Sequence, residues 1–303
     1  MSRTVAITGA SGMLGTHLAE YFRRAGWRVR ALMRDPSWDP FRERGTERAR
    51  LDLERPIATE TLAGADILIH AAYTTRFSSL AAARRVNIEG TARLIAAARS
   101  ANARFVFVSS LAARVDAPSF YGRSKFEVEQ LLTAPDDLVI RPGLILAQEG
   151  GLANRLRHAI ARTHVMPLFG GGSQIVQTVH VDDLCAAFER AVGMAGAASL
   201  NVAEPDGITM RDLLRLLAGA AGVRALPLPL PVSPLLTLVR ALERMRVRMP
   251  FSSENLLGLT GMRRVETRAD LQRLRIELRT ARESLRDLFP DSVLPGGAGD
   301  PRS

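Results

Sequence analysis

The chain has 303 residues, 47% of them hydrophobic, enough to build one large α/β domain with an appended lobe. The net charge is +10, but only 5% of residues are aromatic and no basic block is interleaved with them, which argues against nucleic acid as a partner. A single cysteine, Cys185, excludes an internal disulfide framework and points to a reducing, cytoplasmic setting. The histidines at 17, 70, 158, 164 and 180 share no ligand-like spacing, so no metal site is expected.

From the N-terminus to about residue 145, short β-rich runs alternate with helical patterns. This predicts a doubly wound, Rossmann-type parallel sheet. The strands are expected at Thr4–Thr8, Arg28–Met33, Arg48–Leu51, Asp66–Ala71, Arg104–Ser109 and Leu138–Ile140, with helices near Leu14–Ala25, Leu80–Ser100 and Arg123–Leu132. The first strand runs into Thr8-Gly9-Ala10-Ser11-Gly12-Met13-Leu14-Gly15 and then directly into helix. Glycines at that junction let the backbone turn sharply and approach a pyrophosphate at the helix N-terminus, so Gly9, Ser11, Gly12, Met13, Leu14 and Gly15 are the expected dinucleotide cradle.

The second strand ends in Arg34-Asp35. At this place an arginine suits a ribose 2′-phosphate and an acid a 2′-hydroxyl, and Arg34 at the strand end favours NADP(H) over NAD(H). Asp52-Leu53 follows the third strand, where the acid either accepts from an adenine amino group or caps its own loop. The fourth strand ends His70-Ala71-Ala72, whose small residues let a cofactor pass close; His70 itself reads as a hydrogen-bonded strand end rather than a catalytic group. Asn87, a poor helix former, lies inside the following helical pattern, where it orients a water or a lysine or faces solvent. The fifth strand closes on Ser109-Ser110, hydroxyls placed to donate to a substrate oxygen or to nearby backbone.

Tyr121 and Lys125 are spaced to stack one turn apart on a helix. A fixed ammonium favours the phenolate and brings a tyrosine, ordinarily near pKa 10, toward neutral proton exchange. Lys125 is the one lysine among 41 basic residues, all the others being arginine. That choice suggests a need for a compact, tunable point charge.

Together these residues resemble the extended short-chain dehydrogenase/reductase superfamily of NAD-dependent epimerase/dehydratase type. The likeness is carried in order by Thr8-Gly9-x-x-Gly12-x-x-Gly15, Asp52-Leu53, His70-x-Ala72, Asn87-x-x-Gly90-Thr91, Ser109-Ser110, Tyr121-x-x-x-Lys125 and Arg141-Pro142-Gly143, and it continues through His180-Val-Asp-Asp183. The resemblance implies Tyr121 as proton donor or acceptor, Lys125 as its cation and a ribose ligand, and Ser110 as the group that polarises a carbonyl. It adds His70, Asn87, Ser109, Tyr121, Pro142 and Gly143 to the cofactor's surroundings, and it implies a homodimer formed through the 80–100 and 124–132 helices.

Three departures from the family pattern narrow the implied activity. Ten residues separate Ser110 from Tyr121, fewer than extended members usually have; the passage Gln174–Thr178 carries no arginine to grip a sugar-nucleotide diphosphate; and Leu146-Ala147 stands where Tyr-Gly is usual. The short gap implies a shorter wall on one side of the cleft and resembles an atypical branch; the other two point away from nucleotide sugars and toward an oxidoreductase for a small, fairly apolar carbonyl or alcohol. An epimerase with retained NAD and a weakly catalytic redox sensor are the rival readings. Residues 146–289 are expected to form a smaller α/β substrate-binding lobe, with parts around 175–203 returning to the sheet, and 290–303 a flexible tail. In that lobe Leu226–Pro231 reads as extended. A helix from Pro234 carries an apolar stripe of Leu235, Leu236, Val239, Leu242 and Met245 beside Arg240, Arg244, Arg246 and Arg248; it packs on the lobe's own core, closes over a hydrophobic substrate or touches an anionic membrane surface.

Overall fold

A computed structural model describes residues 3–38, 40–41, 45–75, 77, 79–245 and 252–295. In chain order the elements are β1 (Thr4–Thr8), α1 (Met13–Arg24), β2 (Arg28–Met33), β3 (Glu47–Arg50), β4 (Ile67–His70), α2 (Leu80–Arg84), α3 (Gly90–Ser100), β5 (Arg104–Val108), α4 (Phe120–Glu129) and β6 (Leu138–Pro142). They continue as β7 (Leu144–Leu146), α5 (Gly151–Thr163), β8 (Val165–Phe169), β9 (Ile175–Val176), β10 (Thr178–His180), α6 (Val181–Val192), β11 (Ala198–Val202), β12 (Ile208–Thr209) and α7 (Met210–Ala220). The last are β13 (Leu226–Leu230), α8 (Val232–Arg244), α9 (Ser253–Thr260), α10 (Arg268–Leu274) and α11 (Ala281–Leu288).

The chain forms two compact units. The first comprises Met1–Pro142, Val181–Val202 and Ala269–Ile276. It holds a seven-stranded, all-parallel sheet in the order β11-β6-β5-β4-β1-β2-β3. Strands buried on both faces need no alternation, and β1 accordingly reads as a continuous buried run. One face packs Leu68, Phe105 and Phe107 against Leu94, Ala98 and Val128 of α3 and α4. Helices α1 and α6 pack on each other, burying Leu18 and Phe22 with Leu184 and Phe188. This is the doubly wound fold the sequence pattern implies.

The returning segment is bound to the sheet by Arg104, whose guanidinium donates to the carbonyls of Asp136, Val192, Met194 and Gly196 at 2.7–3.1 Å.

The second unit comprises Gly143–His180, Ala203–Arg268 and Glu277–Ser303. Its strands pair two by two, as β7 with β10, β8 with β13, and β9 with β12. Its core gathers Leu146, Ile160, Leu168, Leu213, Leu217 and Leu285. Gly143 opens the unit where a Cβ would lie 2.3 Å from the Gln177 carbonyl and 2.7 Å from the Ala203 Cβ, so packing alone requires glycine there. Buried Glu204 accepts from Thr178 Oγ1 at 2.7 Å and from the Ala281 amide at 3.1 Å, tying the start of α11 to β10.

Several expectations change in detail. The helix placed at Arg123–Leu132 begins at Phe120, because Ser119 caps it by accepting from the Gly122 amide at 3.3 Å. The single helix Leu80–Ser100 is broken by a π turn, Arg85–Glu89, that contains Asn87. Helix α6 starts at Val181 and takes Asp182 and Asp183 into its first turn, where carboxylates suit the helix dipole. The proline-rich run Leu226–Leu230 is a strand in parallel register with β8, and α8 begins at Val232, two residues before Pro234. Within the stripe on α8, Val239 is buried while Met245 is 73% exposed. Arg246, Arg248 and residues 296–303 of the expected tail lie outside the described residues, as does the side chain of Arg244. Among the described residues, no helix is long and apolar enough to cross a membrane.

Candidate active site

A cleft of about 580 Å³ opens at the C-terminal ends of β1, β2 and β4, where the strand order reverses direction. Of the residues expected to hold a cofactor, Gly9, Ser11, Gly12, Arg34, Asp52, Leu53, Ala71 and Ala72 line it. Gly9 has φ +66°, and a Cβ there would lie 2.8 Å from Ala72 Cα. Only glycine allows the first turn to meet the end of β4 so closely. At Gly15 a Cβ would lie 2.1 Å from the Gly9 carbonyl, so this glycine serves the packing of turn on helix rather than the cleft. Met13 and Leu14 contribute first-turn amides, which have no helical carbonyl to donate to; α1 has neither a side-chain cap nor an acid in that turn. A glycine cradle backed by an uncapped, acid-free helix start is the chemistry a dinucleotide diphosphate requires, and the residues fit that group.

At the far end of the cleft Arg34 is exposed, while Asp35 is committed locally. The Asp35 carboxylate accepts from the Ser37 hydroxyl and amide at 2.5 and 3.0 Å, and these bonds hold its pKa below the ordinary range. Asp52 lines the cleft and also caps its own loop, accepting from the Glu54 amide at 3.0 Å.

His70 does not line the cleft. It is 1% exposed, with Nδ1 2.7 Å from Thr8 Oγ1 and Nε2 2.9 Å from Thr91 Oγ1. The proton positions are set by the neighbours. Thr91 donates to the Asn87 carbonyl, so it accepts from Nε2–H; Thr8 accepts from the Ala72 amide and so donates to Nδ1. This is a neutral imidazole with both nitrogens used, and burial, aided by the charge of Lys125, pushes its pKa down to about 3. Asn87 is likewise buried and structural: its amide group clamps the Thr74 backbone through Oδ1 (2.9 Å) and Nδ2 (3.0 Å), facing neither solvent nor lysine.

The residues expected to handle protons lie on α4 and on the segment that precedes it. Tyr121 sits in the first turn of α4 and keeps 36% of its surface exposed. The tight approach of the short loop after Ser110 explains Gly122, where a Cβ would lie 2.4 Å from the Ala112 carbonyl. Ser110 accepts from the Ala112 amide at 3.2 Å and hydrogen-bonds Tyr121. Lys125 is 3% exposed; its Nζ donates to the Val108 carbonyl at 2.6 Å, and burial lowers its pKa to about 7, with Glu129 opposing.

The expected lowering of the Tyr121 pKa by this lysine does not emerge. Burial raises the phenol above its ordinary value, and the Ser110 bond opposes it. Tyr121 is therefore held protonated.

Ser109 also departs from expectation. Its hydroxyl turns into the protein and donates to Glu129 at 2.5 Å, and Glu129 in turn pairs with Arg141 at 2.5 Å. A carboxylate 7% exposed needs such partners to remain charged. Pro142 ends β6, with its carbonyl accepting from the Leu111 amide at 3.1 Å. Tyr73 carries no signal in the sequence, since an aromatic after two alanines has no telling spacing. It lines the cleft, its hydroxyl lies 2.8 Å from Ser124 Oγ, and its ring meets Tyr121 edge-on at 5.1 Å.

The sheet and its sequence were compared with known proteins. Residues 5–203 match the model of the NAD dependent epimerase/dehydratase family. The chain belongs to that family. It is an NAD(P)-dependent enzyme of the extended short-chain dehydrogenase/reductase type. Among relatives in this family, a ceramide reductase of Caulobacter vibrioides is 36% identical over 240 residues, covering 77% of this chain and 75% of its own. A 3-diazoavenalumate denitrifying reductase of a Streptomyces species is 29% identical over 236 residues, covering 67% and 76%. Among solved structures, MoeE5 in complex with UDP-glucose and NAD superposes with a TM-score of 0.74 at 21% identity over 95% of this chain and 97% of its own, which carries the fold alone.

Proposed function

We propose that this protein is an NADPH-dependent reductase acting on a ketone of a long-chain, ceramide-class lipid. The carrying observation is the Ser110–Tyr121 pair, a phenol kept protonated by burial and hydrogen-bonded to a second hydroxyl beside a dinucleotide cleft. A protonated tyrosine can give its proton to a developing alkoxide, and the relationship to reductases supports reduction as the direction. The relationship to a ceramide reductase supports the lipid class. A Ser-Tyr-Lys set exchanges protons with alcohols and ketones, so a ketone rather than the amide would be the reacting group.

Bound NADPH would supply the hydride to the carbonyl carbon. Ser110 polarises the carbonyl oxygen, Tyr121 gives that oxygen its proton, and the nearby charge of Lys125 favours the phenolate left behind. Exposed Arg34 at the cleft, with Asp35 drawn off by Ser37, supports a 2′-phosphate over a free hydroxyl. In the second unit, Gln177 is locked to backbone at Glu204 and Val265 rather than offered to a diphosphate, which weighs against a nucleotide-sugar epimerase. The lone, buried Cys185 supports a reducing, cytoplasmic compartment.

The test is NADPH oxidation with long-chain keto-lipids in mixed micelles, run beside the NADH reaction and beside Arg34→Ala. Arg34→Ala should weaken NADPH about 10- to 100-fold and leave NADH unchanged. Equal use of the two cofactors by the wild type would overturn the NADP(H) assignment, and no turnover of any keto-lipid would overturn the substrate class.

A lipid substrate also implies a place to collect it. Leu226, Leu228 and Leu238 on β13 and α8 are 75%, 48% and 55% exposed, close in sequence to exposed Arg224 and Arg240. Exposed leucines with basic residues near them in sequence suit an anionic bilayer. Flotation with phosphatidylcholine vesicles should need added phosphatidylglycerol and be lost in the double variant Leu226→Asp, Leu228→Asp. Flotation unchanged by those substitutions would rule these leucines out.

A further inference from the structure

Lys125 presents a physical problem that the proton mechanism leaves open. It is 3% exposed, and among the described residues no carboxylate forms an ion pair with it. Its Nζ has three donors, of which the Val108 carbonyl takes one, at 2.6 Å. Two aromatic faces flank the ammonium: the ring centroid of Tyr73 and that of Phe107 on β5 are each 4.6 Å from Nζ. At that distance a ring quadrupole attracts a cation, most strongly where water is excluded. The rings therefore occupy the place a counter-ion would take.

Phe107 is a fixed part of the sheet core. Tyr73 lies on the loop after β4 and is held by contacts of its own. Its hydroxyl is 2.8 Å from Ser124 Oγ, and Ser124 donates to the Tyr121 carbonyl at 3.0 Å. The next residue, Thr74, is clamped at both N–H and C=O by Asn87. The Tyr73 ring also meets Tyr121 edge-on. One side chain thus touches the cleft, the cation and the proton donor.

We propose that Tyr73 is a positioning residue, its ring face keeping the Lys125 ammonium charged and in register with Tyr121. The charged and titratable groups around the lysine are Glu129 and Tyr121 on α4, neutral His70 on β4, Tyr73 itself, and Arg141 on β6, which is already paired with Glu129. None of the other groups gives the ammonium a contact that replaces the Tyr73 ring. The proposal rests on the reading of Lys125 as the cation of the proton centre, but its test needs neither substrate nor turnover.

The single lysine makes a direct measurement available. Protein grown on lysine carrying ¹³C at Cε gives one lysine resonance, whose shift against pH reports the Lys125 pKa. Tyr73→Leu, which keeps apolar bulk but has no π face, should move the titration down by about half a unit to one unit, since the charged form loses its partner. Tyr73→Phe retains the face and should titrate with the wild type. If Tyr73→Leu does not fold, as judged by its melting curve, Tyr73→Met serves in its place. An unshifted titration in the Leu or Met variant, or an equal shift in Tyr73→Phe, would overturn the proposal. Loss of turnover in Tyr121→Phe bears on the mechanism and leaves this result untouched, so the two failures are distinguishable.

Discussion

Tyr121→Phe is expected to lower turnover by about 10²- to 10⁴-fold while leaving NADPH affinity within a factor of about two. The substitution keeps the ring and its 5.1 Å edge contact with Tyr73, so packing is preserved and only the hydroxyl is lost. Carbonyl reduction requires a proton at the developing alkoxide. Ser110 can donate a hydrogen bond there but is a far weaker acid than a phenol, so no neighbouring group replaces the missing proton source. Cofactor binding should be indifferent because Tyr121 does not line the cleft that holds the glycine cradle and Arg34. Stopped-flow measurement of the hydride step, beside an equilibrium titration with NADPH, separates the two effects. Full turnover in the variant would remove Tyr121 from the mechanism.

Acid should unfold this protein in a way that one buried imidazole accounts for in large part. The folded pKa of His70, about 3, lies below the ordinary value of 6.5. Between those values the unfolded chain binds a proton that the native state refuses, so stability is full above about pH 6.5 and falls as the pH drops toward 3. Lowering the pH from 7 to 4.5 should cost roughly 2–3 kcal/mol through this group alone. The cause is visible in the hydrogen bonds. Protonating Nδ1 would set its new N–H against the hydroxyl that Thr8 already donates, and no carboxylate is at hand to compensate. His70→Gln is expected to be less stable at pH 7 but to lose less on acidification. Urea denaturation of both proteins at pH 7 and pH 4.5 tests this; parallel losses would place the acid sensitivity elsewhere.

The sheet of the first unit is legible in the sequence because its strands are buried on both faces and end at turn-forming residues. Val5, Ala6 and Ile7 are a continuous apolar run stopped by Gly9, and such runs leave little freedom in where a strand begins. The second unit is not readable strand by strand. Ile175–Val176 and Ile208–Thr209 are two residues long and exist through pairing with each other, which no local pattern announces. Leu226–Leu230 reads as extended and is a strand, but nothing local announces its partner; its prolines sit on a strand with a single neighbour, where missing donors are tolerated. In the site, spacing singles out Tyr121 and Lys125 but cannot show the burial that holds the phenol above its ordinary pKa. Ser109 and Ser110 are indistinguishable as letters; only the buried carboxylate of Glu129 decides which hydroxyl faces inward.

The strand order carries a consequence for how the protein is made. Strand β11 (Ala198–Val202) completes the sheet beside β6 only after the chain has emerged through Gly143–His180, all of which belongs to the other unit. While that stretch is being synthesised, Leu138–Pro142 is an open parallel edge with Val139 and Ile140 unpaired on one side, a template for sticking to another chain. The nucleotide-binding half is therefore not a severable N-terminal piece. A chain cut after Pro142 would lack both its last strand and the carbonyls that Arg104 gathers from the returning segment, so this unit is complete only once the later segment has joined it.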